Sequence, residues 1–246
     1  NNGSNWSQTS IINKTVLSLA ILGNNIFAGT SNIPSGSGGV LISTNNGLNW
    51  TLTSLYNIDV NTFAVKDTNI FAGTNYNGIY VTSNNGLNWT QTSLNSESIK
   101  CIAIHGDYIF AGTVNNGVYK STNNGIIWTQ TSMNNLSVWS LILSGNIIYA
   151  GTSDSGVYKS TNNGESWIKT SLNNNSISSL YYNESYIYAG TWYNGIYIST
   201  NEGENWTQSE LYNLNAKALT SNGNNLFAGS YTNGVFYSSN NGTYWL

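Results

Sequence analysis

A tryptophan recurs every 39 residues, the text between successive tryptophans repeats, and each repeat breaks into four short β-type runs. These observations predict an all-β fold: a six-bladed β-propeller of four-stranded antiparallel blades, one domain spanning residues 1–246. Trp50, Trp89, Trp128, Trp167, Trp206 and Trp245 keep the spacing, and Trp6 lies 44 residues before Trp50. A period of this length means that each repeat is one supersecondary unit whose apolar faces are buried only against its neighbours.

The repeat from Ser176 to Ser209 shows the elements in order. Ser176 to Tyr182 is a β-branched and aromatic run, and Asn183-Glu184-Ser185 turns the chain into a second run, Tyr186 to Thr191. Trp192-Tyr193-Asn194 leads through Gly195 into the third run, Ile196 to Ser199. An Asn- and Gly-rich turn then reaches Trp206 to Ser209, the fourth. Short runs bounded by Gly, Asn and Ser clusters are strands joined by hairpins, here termed A to D from the axis outward. No helical stripe competes.

Strand B begins near Ile26, Ile70, Ile109, Ile148, Ile187 and Leu226, which sets the blade number at six. The first unit differs in having eight residues, Ser31 to Gly38, between Thr30 and Gly39, and they include the only proline, Pro34. Both chain ends carry the same element, Asn1 to Trp6 and Asn240 to Trp245. A closed ring needs it once, so Trp6 to Ser10 is expected to supply strand D of the last blade beside Val235 to Ser239, removing the free sheet edges. The chain starts inside a repeat and reads as a mature product or a segment of a longer secreted protein.

Composition narrows the function. Charged residues are 7 %, aromatic residues 13 %, and the net charge is −3. The basic residues are all lysines (Lys14, Lys66, Lys100, Lys120, Lys159, Lys169, Lys217) and are scattered, so no basic footprint for nucleic acid or anionic lipid is present. No apolar run is long enough for membrane insertion. Cys101 is alone, which excludes an intrachain disulfide. Ten Asn-x-Ser/Thr sequons, among them those at Asn49, Asn88 and Asn205, follow from the Asn- and Thr-rich composition.

The turn between strands C and D reads Ser43-Thr-Asn-Asn-Gly-Leu-Asn-Trp50, and it returns at Thr82 to Trp89, Ser121 to Trp128, Ser160 to Trp167, Ser199 to Trp206 and Ser238 to Trp245. It resembles the Asp-box or BNR repeat, S-x-D-x-G-x-x-W, of sialidases, sortilin-type receptors and xyloglucan-active hydrolases. The resemblance covers the whole chain and implies the propeller. It departs from the family at one position throughout: Asn45, Asn84, Asn123, Asn162, Asn201 and Asn240 replace Asp. Asn still accepts backbone N–H bonds in an Asx-type turn, so the turn is expected to survive while any role needing a carboxylate is lost. A box present in every blade reads as scaffold, with Trp packed between blades.

The sialidases of this family are understood to hold a carboxylate substrate with three arginines, and this chain has no arginine. The acid/base pair of the xyloglucan-active relatives has no recognisable counterpart. Glu165, Glu202 and Glu204 fall in C–D turns, and Asp67, Asp107 and Glu184 in A–B turns, all on one face. Asp59, Glu97, Asp154 and Glu210 fall on the opposite face. A glycosidase needs two carboxyls about 5–9.5 Å apart, which only an adjacent-blade pair such as Asp59 and Glu97 could offer. His105, the only histidine, sits in an A–B turn, and no His, Cys and Asp set suits a metal. The chain is therefore read as non-enzymatic and without a cofactor.

Function is sought where the repeats diverge. The B–C loops do so: Asn75-Tyr76-Asn77, Val114-Asn115-Asn116, Ser153-Asp154-Ser155, Trp192-Tyr193-Asn194 and Tyr231-Thr232-Asn233. So does one position of strand A, occupied by Leu17, Asn61, Lys100, Trp139, Ser178 and Lys217. Both sets fall on one face. Trp192, Trp139, Tyr193, Tyr231, Asp154, Tyr76 and Lys217 are the candidate ligand-binding residues, aromatic platforms beside a few orienting polar groups. The expected function is an extracellular or cell-surface binding module for a glycan or surface protein. The alternative is a subunit of a surface layer or filament, self-associating through the chain ends.

Overall fold

Strand B carries Phe-Ala-Gly-Thr or Tyr-Ala-Gly-Thr in most repeats, and this run builds the core. In the computed structural model, which describes residues 7–32, 38–183, 185–223 and 225–246, Phe27, Phe71, Phe110, Tyr149 and Tyr188 are fully buried. The described chain forms six antiparallel sheets in sequence order. Blade 1 is Val16–Leu22, Asn25–Thr30, Gly39–Ser43 and Thr51–Tyr56. Blade 2 is Val60–Lys66, Asn69–Thr74, Ile79–Thr82 and Thr90–Gln91. Blade 3 is Ile99–His105, Tyr108–Thr113, Val118–Ser121 and Thr129–Gln130. Blade 4 is Val138–Ser144, Ile147–Thr152, Val157–Ser160 and Ile168–Lys169. Blade 5 is Ile177–Tyr182, Ile187–Thr191, Ile196–Ser199 and Thr207–Gln208. Blade 6 has three strands, Ala216–Asn222, Asn225–Ser230 and Val235–Ser238.

The chain divides into two compact units, Asn1–Ile104 with Asn123–Ile127, and His105–Thr122 with Trp128–Leu246. In both units neighbouring blades are joined by the same two devices. The first is a hole. The Gly of Ala-Gly-Thr does not need a special φ; it needs the absence of a Cβ. A Cβ on Gly73 would lie 2.6 Å from Ile99 Cγ2, one on Gly151 2.5 Å from Ile177 Cγ2, and one on Gly29 2.9 Å from Val60 Cγ1. The residue entering each hole opens strand A of the following blade, and all three are fully buried.

The second device is a clasp. The box turn closes as expected, with the Ser43 hydroxyl accepting from Gly47 N at 2.9 Å and Asn45 Oδ1 accepting from Asn49 N at 2.9 Å. The same pair of bonds recurs at Ser160/Asn162, Ser199/Asn201 and Ser238/Asn240. A carboxamide oxygen thus does the accepting that the Asp of the resembled family would do. The turn glycine has positive φ, +78° to +83° at Gly47, Gly86, Gly125, Gly164, Gly203 and Gly242, which is what lets the chain pass there without a Cβ clash. Beneath the glycine lies the strand-B ring of the preceding blade: a Cβ on Gly125 would meet Phe71, and one on Gly164 would meet Phe110. Where the ring is tyrosine it also donates a hydrogen bond, from Tyr149 Oη to Glu202 O at 3.2 Å and from Tyr188 Oη to Asn241 O at 3.4 Å.

The outer edge of blade 6 departs from expectation. Trp6 lies outside the described residues, as do Pro34 and Glu184, and residues 7–10 form no strand. Tyr237 instead exchanges hydrogen bonds with Leu246, N to O at 2.9 Å and 2.8 Å. Trp245 is buried, and its Nε1 donates to Gly242 O at 2.9 Å. The box at Ser238 to Trp245 delivers the following residue to that position by itself, as the box does in blade 5, where Ile198 pairs with Thr207. The physical reason is local: a closed box fixes the next backbone group opposite strand C without help from a distant segment.

Three outcomes follow. Gly151→Ala should cost about 1–3 kcal/mol in urea denaturation, because the new methyl overfills the Ile177 hole. Glu202 occupies a left-handed position, φ +56°, that Asn fills at Asn46, Asn85, Asn124, Asn163 and Asn241. Glu202→Asn should therefore raise stability by up to about 1 kcal/mol in the same assay. Burial pushes the Tyr188 phenol up to about 12 from 10.0, and holds Tyr149 well above the usual phenol range. The Tyr188 contribution is full below the unfolded value of 10.0 and is lost as pH rises toward about 12. Melting curves of Tyr188→Phe should thus lose less stability than the parent over that window.

Candidate ligand-binding site

Strand A carries an irregularity at its second residue, and this places the site. The register of A against B skips between Val60 and Thr62, Val138 and Ser140, Ile177 and Ser179, and Ala216 and Ala218. The residues stepped over, Asn61, Trp139, Ser178 and Lys217, belong to the column in which the repeats diverge. A bulged residue has no partner in the ladder, and its side chain is re-aimed out of the sheet. The column therefore tolerates varied side chains, and in blades 2 and 5 it reaches the following blade: Asn61 Nδ2 donates to Ile99 O at 2.9 Å, and the Ser178 hydroxyl donates to Ala216 O.

In the unit that holds blades 4 to 6, this column and the B–C loops converge. The ring centroids of Trp139 and Trp192 are 5.4 Å apart and edge-to-face, 78° between planes. Tyr193 is tilted against Trp192 at 6.4 Å. Lys217 Nζ lies 3.2 Å from the Trp192 centroid, 5.5 Å from Trp139 and 5.9 Å from Tyr231. Five of the seven candidate residues thus form one cluster. Trp139, Trp192 and Lys217 are partly buried, whereas Tyr193 and Tyr231 are 75 % and 69 % exposed. The accessible ring faces therefore belong to the two tyrosines, while one face of Trp192 is covered by the ammonium. Asp154 is exposed, its Oδ1 accepting from the Ser155 hydroxyl at 3.1 Å. Tyr76 belongs to the other unit; it is 74 % exposed and has φ +67°, a conformation costly for a bulky residue.

A second polar column, one residue before strand A, escaped sequence reasoning. The backbone N–H that opens the B–C loop donates to its carbonyl: Asn75 N to Asp59 O, Ser153 N to Ser137 O, Trp192 N to Ser176 O and Tyr231 N to Asn215 O, at 3.0–3.1 Å. Its side chains also tie the loop of the preceding blade. Ser98 donates to Asn75 Oδ1 at 2.5 Å, Ser137 to Asn115 Oδ1 at 2.9 Å, and Ser176 to Ser153 O. Asp59 belongs to this column: its Oδ1 accepts from Asn32 N at 2.5 Å and from the Ser31 hydroxyl at 3.3 Å. The signal was present, since Asp59, Ser98, Ser137, Ser176 and Asn215 are all polar at one phase of the repeat. Asp59 is thereby a loop strut. Burial pushes the neighbouring Lys100 ammonium down, with the Asp59 charge acting against that shift.

His105, expected in the A–B turn, is instead the last residue of strand A in blade 3, half-buried, and it approaches Asn146 Oδ1 at 3.3 Å. Among the described residues no group of three or more His, Cys, Asp or Glu side chains could hold a metal ion. Among the described residues no helix is long and apolar enough to cross a membrane. The cluster of Trp139, Trp192, Tyr193, Tyr231 and Lys217 is therefore the strongest candidate site for a ligand that stacks.

No family model matches the chain, and no curated protein matches it. Solved structures do. YCF48 from Cyanidioschyzon merolae is similar at TM-score 0.75 and 12 % identity, over 95 % of this chain and 84 % of that one. A GH74 enzyme from Niastella koreensis is similar at TM-score 0.72 and 21 % identity, over 92 % of this chain but 45 % of that one. The extracellular domain of BT4673 from B. thetaiotaomicron is similar at TM-score 0.76 and 20 % identity, over 95 % of this chain and 34 % of that one. These likenesses show the fold, an Asp-box type β-propeller architecture of six sheets.

Proposed function

We propose that the chain is a non-enzymatic recognition module, working outside the cell or at its surface, that binds carbohydrate through the aromatic cluster of blades 4 to 6. The observation that carries this reading is the pair of exposed rings, Tyr193 and Tyr231, set beside Trp192 and Lys217. Apolar rings stack on the C–H faces of a sugar, and a few fixed polar groups orient it. Support comes also from the neighbours, which include a GH74 xyloglucanase from Xanthomonas campestris. A second neighbour, YCF48, is described bound to the D1 peptide, so a protein ligand is the other outcome of the test. The absence of arginine, and the structural employment of Asp59, argue against hydrolysis at this face.

An assembly role is favoured by one separate observation. Val235 is 71 % exposed, whereas its counterparts Val40, Ile79, Val118, Val157 and Ile196 are fully buried. The hole at Gly229 is correspondingly open, with only Ala218 within contact distance of a Cβ placed there. Size-exclusion chromatography with light scattering distinguishes the two readings: a monomer at micromolar concentration speaks against assembly.

A glycan array followed by titration calorimetry tests the recognition reading. Tyr231→Ala and Trp192→Ala should each weaken a detected interaction by about 2 kcal/mol or more. Tyr231→Ala should leave the melting temperature nearly unchanged, since a rim ring contributes little to folding. Binding that survives both substitutions places the ligand elsewhere, and hydrolysis of a glycan lost on Asp59→Asn overturns the non-enzymatic reading.

A further inference from the structure

Consecutive blades of this chain meet through a joint with two halves. The earlier blade offers a hole at its strand-B glycine and, beside it, the strand-B ring. The later blade offers the first residue of strand A, which enters the hole, and a box glycine, which seats over the ring. Val60, Ile99 and Ile177 enter the holes at Gly29, Gly73 and Gly151. The box glycines Gly86, Gly125, Gly164 and Gly203 lie over Phe27, Phe71, Phe110 and Tyr149. Blade 6 carries the first half unfilled. Among the described residues a Cβ on Gly229 would meet only Ala218 of its own blade, at 3.6 Å. Its strand-B ring, Phe227, is half-buried, whereas those of the other blades are fully buried. Blade 1 carries the second half unfilled. Val16 is 40 % exposed, whereas Val60, Ile99, Val138, Ile177 and Ala216, which open strand A in the other blades, are fully buried. Among the described residues a Cβ on Gly47 would meet only Trp50 of its own box, at 3.7 Å. Leu19 is 64 % exposed, while its counterparts Leu141 and Leu180 are buried. Leu180 shows what such a residue does in a filled joint: its Cγ lies 3.3 Å from the place of a Cβ on Gly151 in the blade before.

We propose that these two faces form one interface between copies of this chain: blade 6 of one copy receives blade 1 of the next, with Val16 entering the hole at Gly229 and the Gly47 box seating on Phe227. The occupant is a second copy because what each face lacks the other supplies, element by element and at the same phase of the repeat. The register is that of the joints already made inside the chain. Charge does not oppose the contact, since neither Val16–Leu22 nor Val235–Ser238 carries a charged residue. Covering Val16, Leu19, Ile21 and Val235 takes exposed apolar side chains out of water. The two halves differ, so the contact is heterologous and copies add head to tail. The proposal rests on the assembly reading above and goes beyond it by naming the partner and the register in which it docks. Copies joined in this way carry several aromatic clusters, which raises avidity for a repeated ligand without any new contact.

The test is size-exclusion chromatography with light scattering over micromolar to millimolar protein, where the parent should gain mass with concentration. Gly229→Val fills the hole on one face, and the contact of its Cβ with Ala218 is an ordinary one, so a single copy has room for it. Leu19→Lys places a charge on the other face at an exposed position. Each variant alone should stay monomeric, with a melting curve in dilute solution close to that of the parent. Val235→Lys blocks the same face should Gly229→Val fold poorly. An equimolar mixture of the two blocked variants should form a dimer and stop there, because each keeps the face that the other has lost. A parent that is monomeric at every concentration overturns both this inference and the assembly reading, and leaves the two faces to another occupant. Association that survives in both variants, or a mixture that stays monomeric, overturns this inference alone and moves assembly to a different surface.

Discussion

The contact on which everything else depends is that between a box turn and the strand-B ring of the blade before it. Each blade is too thin to have a core of its own, so its apolar side chains are covered only when the next sheet is seated. The box supplies the seat. Ser or Thr and Asn tie the turn from within, the glycine leaves room, and Phe71 or Phe110 fills that room from the neighbouring blade. The tyrosine versions, Tyr149 and Tyr188, add a hydrogen bond to a backbone carbonyl at the same place. Because the seat is made from backbone geometry and a carboxamide, it needs no charge, which fits a chain with few charged residues.

This arrangement also separates scaffold from surface. The holes at Gly29, Gly73 and Gly151 and the clasps constrain the sides of each sheet where it faces another sheet. The bulge in strand A and the B–C loop are constrained mainly through backbone bonds, such as Trp192 N to Ser176 O. Side chains there can change without disturbing the seat. That freedom explains how one blade can present Trp139, another Lys217, and a third Asn61 at one phase of the repeat.

Much of this was legible in the sequence, for identifiable reasons. The box turn is a local motif whose bonds run over four residues, so Ser43, Asn45 and Gly47 announce their own geometry. Strand pairing follows from hairpins between adjacent runs. What could not be read is whatever joins repeats. Nothing in Ala-Gly-Thr says that the glycine receives Ile177, since the partner lies 26 residues on, counting from Gly151, and in another sheet. The edge of blade 6 was assigned to Trp6–Ser10 by analogy of text, while the bonds of Tyr237 go to Leu246. For the site, divergence among repeats singled out Trp139, Trp192, Tyr193, Tyr231 and Lys217, and the structure brings those five together. That the ammonium covers one face of Trp192, leaving the tyrosines as the open rings, depends on the bulge and has no signature in spacing.

The outer strands have a bearing on solubility. Edge strands usually avoid sticking to one another by carrying lysines or by being very short. With so little charge to spend, this chain uses brevity: Thr90–Gln91, Thr129–Gln130, Ile168–Lys169 and Thr207–Gln208 have two residues each. Their glutamines fold back onto loop carbonyls, Gln91 onto Asn77 and Asn95, Gln130 onto Asn116 and Asn134, so little free ladder is left to template another chain. Blade 1 departs from this. Its outer strand, Thr51–Tyr56, has six residues, uncharged and mostly exposed. That edge is therefore a weak point of the molecule in concentrated solution, and a lysine at Leu52 is the natural place to blunt it.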